Sequence, residues 1–301
     1  MRDLLDKQCP PEVVRAAWDA PELDRSVWSA LEEMGVTSVL VPEAAGGLGL
    51  DERSLVLLLE ESGRAGLPHP LVDSVAVAAP LGEPAGMVVT DLGGPNVPCA
   101  ADADRFLLRD GDALHLVEPD GVVLTPLDTV DRGRRAARVA WQPVPATLLT
   151  DDPSVVALAF DRGAFGTAAQ LVGLGQRMLD LTVAYVSQRE QFGQPVGAFQ
   201  AVKHHLADAL KELAFARPAV HRAAHSLAAG AETRARDVSM AKGMASDAAR
   251  FVGRQALQCH GAIGYTVEAD LHLYMKRAGA LAAAWGSAAW HRDRVGAALG
   301  V

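Results

Sequence analysis

The distribution of apolar residues predicts helices along the first part of the chain. Val27, Leu31 and Met34 recur at helical spacing, which places them on one face of a helix. The largely apolar run 55–61 is typical of a second, buried helix. Between them, the segment 41–50 contains a proline and three glycines, which favour a turn. We therefore predict an N-terminal helical domain over residues 1–80.

A different pattern begins near residue 81. The apolar residues now come in short runs, at 87–89, 106–108, 114–117 and 122–124. Asp-Gly pairs, which are common turn dipeptides between strands, separate several of these runs. The pattern predicts a small β domain over residues 81–153.

Helical spacing returns near residue 154 and continues to the end of the chain. One stripe has apolar side chains three and four residues apart: Leu171, Leu174, Met178, Leu181 and Tyr185. A second stripe follows Pro195 and is expected to face inward: Val202, Leu206, Leu210 and Leu213. A third stripe has small side chains that permit close helix approach: Ala241, Ala245, Ala248 and Val252. These stripes predict an antiparallel helical bundle over residues 154–301.

Composition limits the partners and the compartment. The chain has 301 residues, of which 50% are hydrophobic, and a formal net charge of -9 at pH 7. This charge disfavours nonspecific binding to nucleic acid or to an anionic membrane. The acidic start lacks the apolar core of a signal peptide, and we identify no segment of about 20 strongly apolar residues. We therefore expect a cytoplasmic protein.

The cysteines and histidines do not indicate a metal site. Cys9, Cys99 and Cys259 are widely spaced and form no CxxC pair, so we expect reduced thiols. His260 has no neighbours at metal-ligand spacing, and we expect it to be packed or hydrogen-bonded within the fold.

Three motifs follow one another along the chain. WSALEEMG at 28–35 precedes VPE at 41–43 and GGLG at 46–49, YVSQREQFGQP spans 185–195, and QCHGAIGY spans 258–265. In this order they resemble the signature motifs of the acyl-CoA dehydrogenase family. The resemblance extends over nearly the whole chain. It implies a mainly α fold with a small β domain, in which an N-terminal helical domain, a reduced middle β domain and a C-terminal helix bundle follow one another.

The resemblance also implies FAD as the cofactor and assigns residues to it. Arg189 matches the family arginine that contacts the FAD pyrophosphate across a subunit interface, and Phe192 is placed against the flavin nucleotide. Gln258 is placed to hydrogen-bond the cofactor, and Gly261 lets the backbone approach it. On residue type alone, Arg189 is more typical of a helix-end charge, and Gly261 is equally typical of a turn.

The family's catalytic base is missing at both of its known locations. Acyl-CoA dehydrogenation requires a carboxylate that removes the α proton of the thioester. The family's usual aromatic-Glu-Gly-Thr sequence reads Ala-Trp-Gly-Ser here, so Trp285 occupies the place of the glutamate. At the second location, near the start of the bundle, the chain has Gly163. We therefore predict no catalytic residue, with Glu268 and Asp161 as alternative bases.

These departures resemble the short subunit of heterotetrameric acyl-CoA dehydrogenases from actinobacteria that act in steroid catabolism. The resemblance implies a longer dehydrogenase partner that supplies the base and most of the acyl-CoA pocket. The implied reaction is α,β-desaturation of a bulky acyl-CoA, with an electron-transfer flavoprotein or a similar acceptor. Two alternatives stay open: a self-sufficient dehydrogenase with an unusual base, and a cofactor-free scaffold subunit.

Overall fold

The N-terminal domain is helical, as predicted. The computed structural model describes residues 1–82 and 86–301. Its first helices are α1 (Arg2–Gln8), α2 (Pro11–Ala16), α3 (Ser26–Glu33) and α4 (Glu52–Ala65). The side chain of Asp51 accepts a hydrogen bond from the Arg53 amide and caps α4, which ends at Gly66 in the left-handed region. A wholly buried π-helical segment, Val72–Ala78, follows α4.

The middle domain contains the predicted strands. They are β1 (Val88–Thr90), β2 (Arg105–Asp110), β3 (Ala113–Val117), β4 (Val122–Pro126), β5 (Ala137–Trp141) and β6 (Leu148–Thr150). One sheet has the order β1-β2-β3-β6, and β4 and β5 form a separate antiparallel pair. The expected domain range 81–153 includes residues 83–85, which lie outside the described residues.

The larger sheet is covered on both faces. Val88, Leu107 and Leu114 belong to the main hydrophobic core that the sheet shares with the helices. Val89, Phe106 and neighbouring side chains of the opposite face belong to a second, smaller core. Because successive residues of a strand point to opposite faces, one short sheet supports both cores.

The C-terminal bundle is built from long helices. They are α5 (Pro153–Gln188), α6 (Gln200–Ala228), α7 (Arg234–His260), α8 (Leu271–Ala283) and α9 (Ala288–Leu299). A two-stranded hairpin, β7 (Glu190–Gln191) and β8 (Gln194–Pro195), connects α5 to α6. By length and composition α5 could cross a membrane, but 72% of its most apolar window is buried within the fold. It is the central core helix of the bundle.

One buried ion pair ties the three parts of the chain together. The guanidinium of Arg277 on α8 donates to the carboxylate of Asp131, which lies between β4 and β5. The same guanidinium donates to the carbonyl of Leu67 in the N-terminal part at 2.8 Å. Arg277 and Asp131 are both buried, so removing either side chain would leave a buried polar group without its partner.

One expected core position is exposed instead. The sequence places Leu210 on the inward face of α6, but its side chain is 51% exposed. Helical spacing shows that a face is apolar but not which molecule covers it, so Leu210 was assigned to the core of this chain.

Helices α4 and α5 pack with their backbones almost in contact. A Cβ atom on Gly173 would lie 1.9 Å from the carbonyl oxygen of Glu60, and one on Gly63 would lie 2.1 Å from that of Gln170. Neither collision can be relieved by a side-chain rotation, because the opposing atoms belong to the backbone. Glycine at both positions therefore sets the distance between the two helices.

We expect Gly173→Ala to lower the free energy of unfolding by about 1–3 kcal/mol, because the helices must separate to admit the methyl group. Urea denaturation followed by circular dichroism measures the change. Gly279→Ala on α8 is the matched control, since a Cβ there has nothing within 4 Å. That variant is expected to be neutral or more stable by about 0.5–1 kcal/mol. Equal destabilisation by the two substitutions would contradict the close-packing interpretation.

Candidate functional site

The hairpin after α5 presents two of the predicted cofactor residues. Arg189 is the first residue after the helix, and Phe192 and Gly193 form the hairpin turn with φ of 55° and 79°. Two successive residues in the left-handed region are typical of a type I′ turn, which is an unusual place for a bulky aromatic residue. The phenyl ring of Phe192 is 93% exposed, and it meets the Phe199 ring edge to face at 6.2 Å.

The end of α7 presents the other two predicted residues. Gln258 lies in the last turn of the helix, with an exposed side chain. Gly261 follows the helix with φ of 64°, and its amide donates to the carbonyl of Gln258. The positive φ explains the glycine, because a side chain at this position would be strained. The turn therefore ends α7 shortly after Gln258.

An open cavity of about 570 Å³ joins the two segments. Its lining includes Arg189, Gln258 and Gly261. The rings of Tyr185 and His260 stack at its edge with centroids 4.6 Å apart. His260 is buried, and its Nδ1 contacts the carbonyl of Ala256, so the expectation of a packed, hydrogen-bonded histidine is confirmed. Three of the four predicted cofactor residues thus meet at one cavity.

The polar groups at this cavity fit part of an FAD molecule. A guanidinium offers paired donors and a permanent charge to phosphate oxygens, and the Gln258 amide offers both a donor and an acceptor. Phe192 does not line the cavity and projects into solvent instead. The residues are therefore suited to the nucleotide and pyrophosphate portion of a dinucleotide. Their assignment as FAD contacts stays a prediction.

Residues 90–94 of the middle domain lie apart from this cavity. Thr90 is 2% exposed, and its hydroxyl accepts a hydrogen bond from the Leu92 amide. Gly93 and Gly94 line a cleft of about 390 Å³ between the middle domain and α8. The hydroxyl of Thr90 thus accepts a hydrogen bond from the backbone of its own turn.

Trp285 and Gly163 pack directly against each other. The indole is 4% exposed. A Cβ atom on Gly163 would lie 2.3 Å from the six-membered ring of Trp285, and one on Gly93 would lie 2.8 Å from its five-membered ring. The indole is therefore held between α5 and the middle domain. The two positions predicted to match the family's base are in mutual contact, and neither has a side chain that accepts a proton.

Little space remains beside the indole. The void bounded by Trp285, the segment 67–73 and the α5 residues Thr167 and Gln170 measures about 40 Å³. That volume accommodates about one or two water molecules. An acyl thioester does not fit between α5, α8 and the segment 67–73 while the indole occupies this position.

The alternative bases are not directed toward this void. Asp161 is fully buried, and its two carboxylate oxygens accept from Arg234 at 3.0 Å and from Arg294 at 2.7 Å. Both carboxylate oxygens are thus occupied by guanidinium donors within the fold. Glu268 is exposed in the connection between α7 and α8. Neither residue lines the void beside Trp285.

Two polar residues that the sequence analysis did not single out hold the loop of Trp285. His291 is fully buried, and its Nε2 lies 2.8 Å from the Trp285 carbonyl oxygen. Lys242 is also fully buried, and its Nζ lies 3.2 Å from the Gly286 carbonyl oxygen. Helical spacing from Val238 places Lys242 on the buried face of α7, and this was the available signal. His291 has no comparable signal.

Burial lowers the pKa of His291 to about 4, although the hydrogen bond to the Trp285 carbonyl opposes the shift. The charges of Lys242 and Arg294 act in the same direction as burial. Between pH 6.5 and 4 the folded chain therefore keeps His291 neutral while the unfolded chain binds a proton. Acid consequently favours unfolding over this range.

We expect the free energy of unfolding to fall more steeply between pH 6.5 and 4 in the wild type than in His291→Gln. Urea titrations at a series of pH values measure the two slopes. Burial raises the pKa of Asp73 to about 7, which favours the folded state in acid, but this contribution is common to both proteins. Identical slopes in the two proteins would refute the assignment to His291.

Comparison with known proteins identifies the family. The sequence profiles of the acyl-CoA dehydrogenase N-terminal and C-terminal domains match residues 1–84 and 154–300. Acyl-CoA dehydrogenase IpdE2 of Mycolicibacterium smegmatis is 37% identical over 290 residues, covering 91% of this chain and 88% of the relative. IpdE2 of Mycobacterium tuberculosis is 33% identical, covering 91% and 87%.

Solved structures agree with this result. The Tcur3481-Tcur3483 steroid acyl-CoA dehydrogenase, in a G363A variant, matches with a TM-score of 0.88 and 27% identity over 99% of this chain and 95% of the other. The ChsE4-ChsE5 complex from Mycobacterium tuberculosis matches with a TM-score of 0.89 and 24% identity over 99% and 94%. The predicted fold class is confirmed, and this chain belongs to the acyl-CoA dehydrogenase family.

Proposed function

We propose that this chain is the base-lacking short subunit of a heteromeric, FAD-dependent acyl-CoA dehydrogenase. A longer partner subunit supplies the catalytic carboxylate and most of the acyl-CoA pocket. Acyl-CoA dehydrogenases are FAD-dependent, and the flavin provides the acceptor for the hydride that leaves the β carbon. The contribution of this chain is to complete the binding surface for the cofactor.

The contact between Trp285 and Gly163 carries this proposal. Abstraction of the α proton requires a basic group at the reacting carbon. The indole N–H is only a donor, and glycine has no side chain. Since the indole also narrows the void between α5 and the segment 67–73, this chain lacks both a base at these positions and room for the thioester in that void.

The edge formed by Arg189 and Gln258 supports the proposal that this chain contributes to cofactor binding. Both side chains are exposed at an open cavity, so a ligand held mainly by another chain can reach them. Phe192 lies beside this edge at 93% exposure, and Tyr265 lies just beyond the end of α7 at 77% exposure. Large exposed aromatic side chains are common at protein interfaces. These exposed aromatic side chains support the proposal that the partner subunit binds at this edge.

The similar proteins support the heteromeric assembly and the substrate class. One of the solved structures is a complex of two differently named chains, ChsE4 and ChsE5, and another is a steroid acyl-CoA dehydrogenase named for two chains. By analogy, the proposed substrate is a bulky, steroid-derived acyl-CoA that undergoes α,β-desaturation. The acceptor of the electrons is an electron-transfer flavoprotein or a similar protein, and the compartment is the cytoplasm.

A cofactor-free scaffold subunit is the second candidate. The narrow crevice beside Trp285, between α5, α8 and the segment 67–73, favours it equally. The two functions differ in what Arg189 does. In a scaffold, the guanidinium is a surface charge whose removal leaves the flavin of the complex unaffected. In the proposed subunit it binds phosphate, so flavin retention depends on it.

The assembly prediction concerns flavin content. We expect the chain purified alone to carry little flavin, because it offers only an open edge to the cofactor. Co-purification with the long acyl-CoA dehydrogenase chains of its source organism is expected to give a complex with bound flavin. Flavin absorbance per mole of protein measures both preparations. A yellow preparation of this chain alone that desaturates an acyl-CoA would overturn the proposal.

The role of Arg189 can be tested in the assembled complex. We expect Arg189→Ala to raise the dissociation constant of FAD by about tenfold to a hundredfold, as expected for loss of a charge-assisted hydrogen bond worth about 1.5–3 kcal/mol. Arg189→Lys keeps the charge but not the planar pair of donors, and an intermediate value is expected. FAD titration of the deflavinated complex measures these constants.

Arg250→Ala is the matched control, because Arg250 is an exposed arginine of α7 that does not line the cavity. Its affinity for FAD is expected to equal that of the wild-type complex. Wild-type FAD affinity in the Arg189→Ala complex would instead support the scaffold function.

A further inference from the structure

The backbone at Trp285 adopts a conformation that its surroundings must impose. Trp285 has φ of 57° and Gly286 has φ of 88°, both in the left-handed region. A bulky residue rarely occupies this region unless neighbouring groups hold it there. The Trp285 amide donates to the Gly93 carbonyl at 2.9 Å, which ties the loop to the middle domain. The carbonyls of Trp285 and Gly286 accept hydrogen bonds from side chains of the helical bundle.

A chain of hydrogen bonds reaches the Trp285 carbonyl from α9 and α7. His291 Nε2 donates to this carbonyl, and His291 Nδ1 accepts from the Ser239 hydroxyl at 3.1 Å. Arg294 donates to the Ser239 oxygen at 3.2 Å and to the Asp161 carboxylate at 2.7 Å. A neutral His291 that carries its proton on Nε2 satisfies both contacts, and burial, which lowers its pKa, favours this form. Asp161 thus anchors one end of this chain of hydrogen bonds.

Lys242 holds the next carbonyl. Its ammonium group lies 3.1 Å from the Ser246 hydroxyl, 3.4 Å from the Ala282 carbonyl and 3.2 Å from the Gly286 carbonyl. Three acceptors match the three N–H groups of an ammonium ion. The contacts span α7, the end of α8 and the loop that follows it. A single side chain thus fixes the direction in which the chain leaves α8.

Apolar packing alone does not require these groups. Burying a lysine, a histidine and a serine around one loop is unfavourable unless each polar atom is satisfied. Here their hydrogen bonds converge on the carbonyls of Trp285 and Gly286, directly or through one intermediate. The arrangement specifies a single conformation of the loop rather than a larger apolar contact.

We propose that Lys242, Ser239 and His291 are positioning residues that lock Trp285 across the crevice and keep acyl thioesters out of this chain. The inference deepens the proposed function and rests on it. The lock directs the thioester to the partner subunit, because the crevice of this chain cannot open while the two carbonyls are held. Asp161 and Arg294 serve the lock rather than proton transfer.

The test measures hydrogen exchange of the backbone amides in residues 285–287 of the assembled complex, by mass spectrometry. The Trp285 amide reports the lock directly, since it is hydrogen-bonded to Gly93. In His291→Leu and Lys242→Met we expect exchange about tenfold faster in this segment, the factor for losing one net hydrogen bond. His291→Gln, whose amide donates and accepts, is expected to restore slow exchange.

Arg292→Gln is the matched control, because Arg292 lies on α9 beside His291 but pairs with the exposed Asp247. Its exchange in residues 285–287 is expected to match the wild type. Ser239→Ala is the milder variant that keeps the test valid if either larger change prevents folding. Wild-type exchange in Ser239→Ala, or in both larger changes, would overturn the lock.

A second measurement tests whether the indole closes the crevice. Trp285→Gly leaves a cavity of indole size against Gly163 and Gly93, which free indole can refill. We expect calorimetry to detect binding of free indole to the Trp285→Gly complex and none to the wild type. Indole binding to the wild-type complex would contradict a closed crevice. Flavin content and desaturation by this chain alone are measured separately, so failure of the proposed function is distinguishable from failure of the lock.

Discussion

The contact between the Trp285 indole and Gly163 determines what the rest of this structure can do. A Cβ at Gly163 would lie 2.3 Å from the indole, so a tryptophan at 285 is compatible only with glycine at 163. The two positions matched to the family's base are therefore structurally coupled. A glutamate placed at Gly163 cannot be accommodated while Trp285 stays. The indole thus blocks any side chain at position 163 and narrows the void beside it.

Lys242 and His291 lie close to this contact, and their hydrogen bonds, rather than their pKa shifts, indicate what they do. Burial lowers the pKa of Lys242 to about 7 and that of His291 to about 4. Groups with such shifts beside a crevice are candidates for catalysis on electrostatic grounds. Their hydrogen bonds, however, end on backbone carbonyls and on the ion pair of Asp161 with Arg294. Their position supports one loop conformation, and none of them faces space for a substrate.

The sequence predicted the helices and strands better than it predicted which side chains are exposed or which polar groups are in contact. The short runs between Asp-Gly turns identified the strands, and the stripes on α5 and α7 identified the bundle, because periodicity follows directly from backbone geometry. Leu210 was assigned to the core but is half exposed, since an apolar face can be covered by another molecule. The π-helical segment at 72–78 has no periodic signal of its own. The hydrogen-bond chain through Ser239 and His291 connects residues 52 positions apart, which local patterns do not reveal.

The crevice at Trp285 and the edge at Arg189 would respond differently to a bound partner. The crevice at Trp285 is filled by the indole, and hydrogen bonds from Lys242 and His291 hold its loop. The edge at Arg189 is incomplete: the guanidinium is exposed at an open cavity, and the neighbouring Phe192 holds a left-handed conformation with 93% of its surface in solvent. An exposed aromatic turn of this kind is unfavourable in an isolated chain, and burial against a partner offsets its cost. A partner bound at this position would stabilise the edge at Arg189, whereas it would add nothing to the loop of Trp285, which is already held by internal hydrogen bonds.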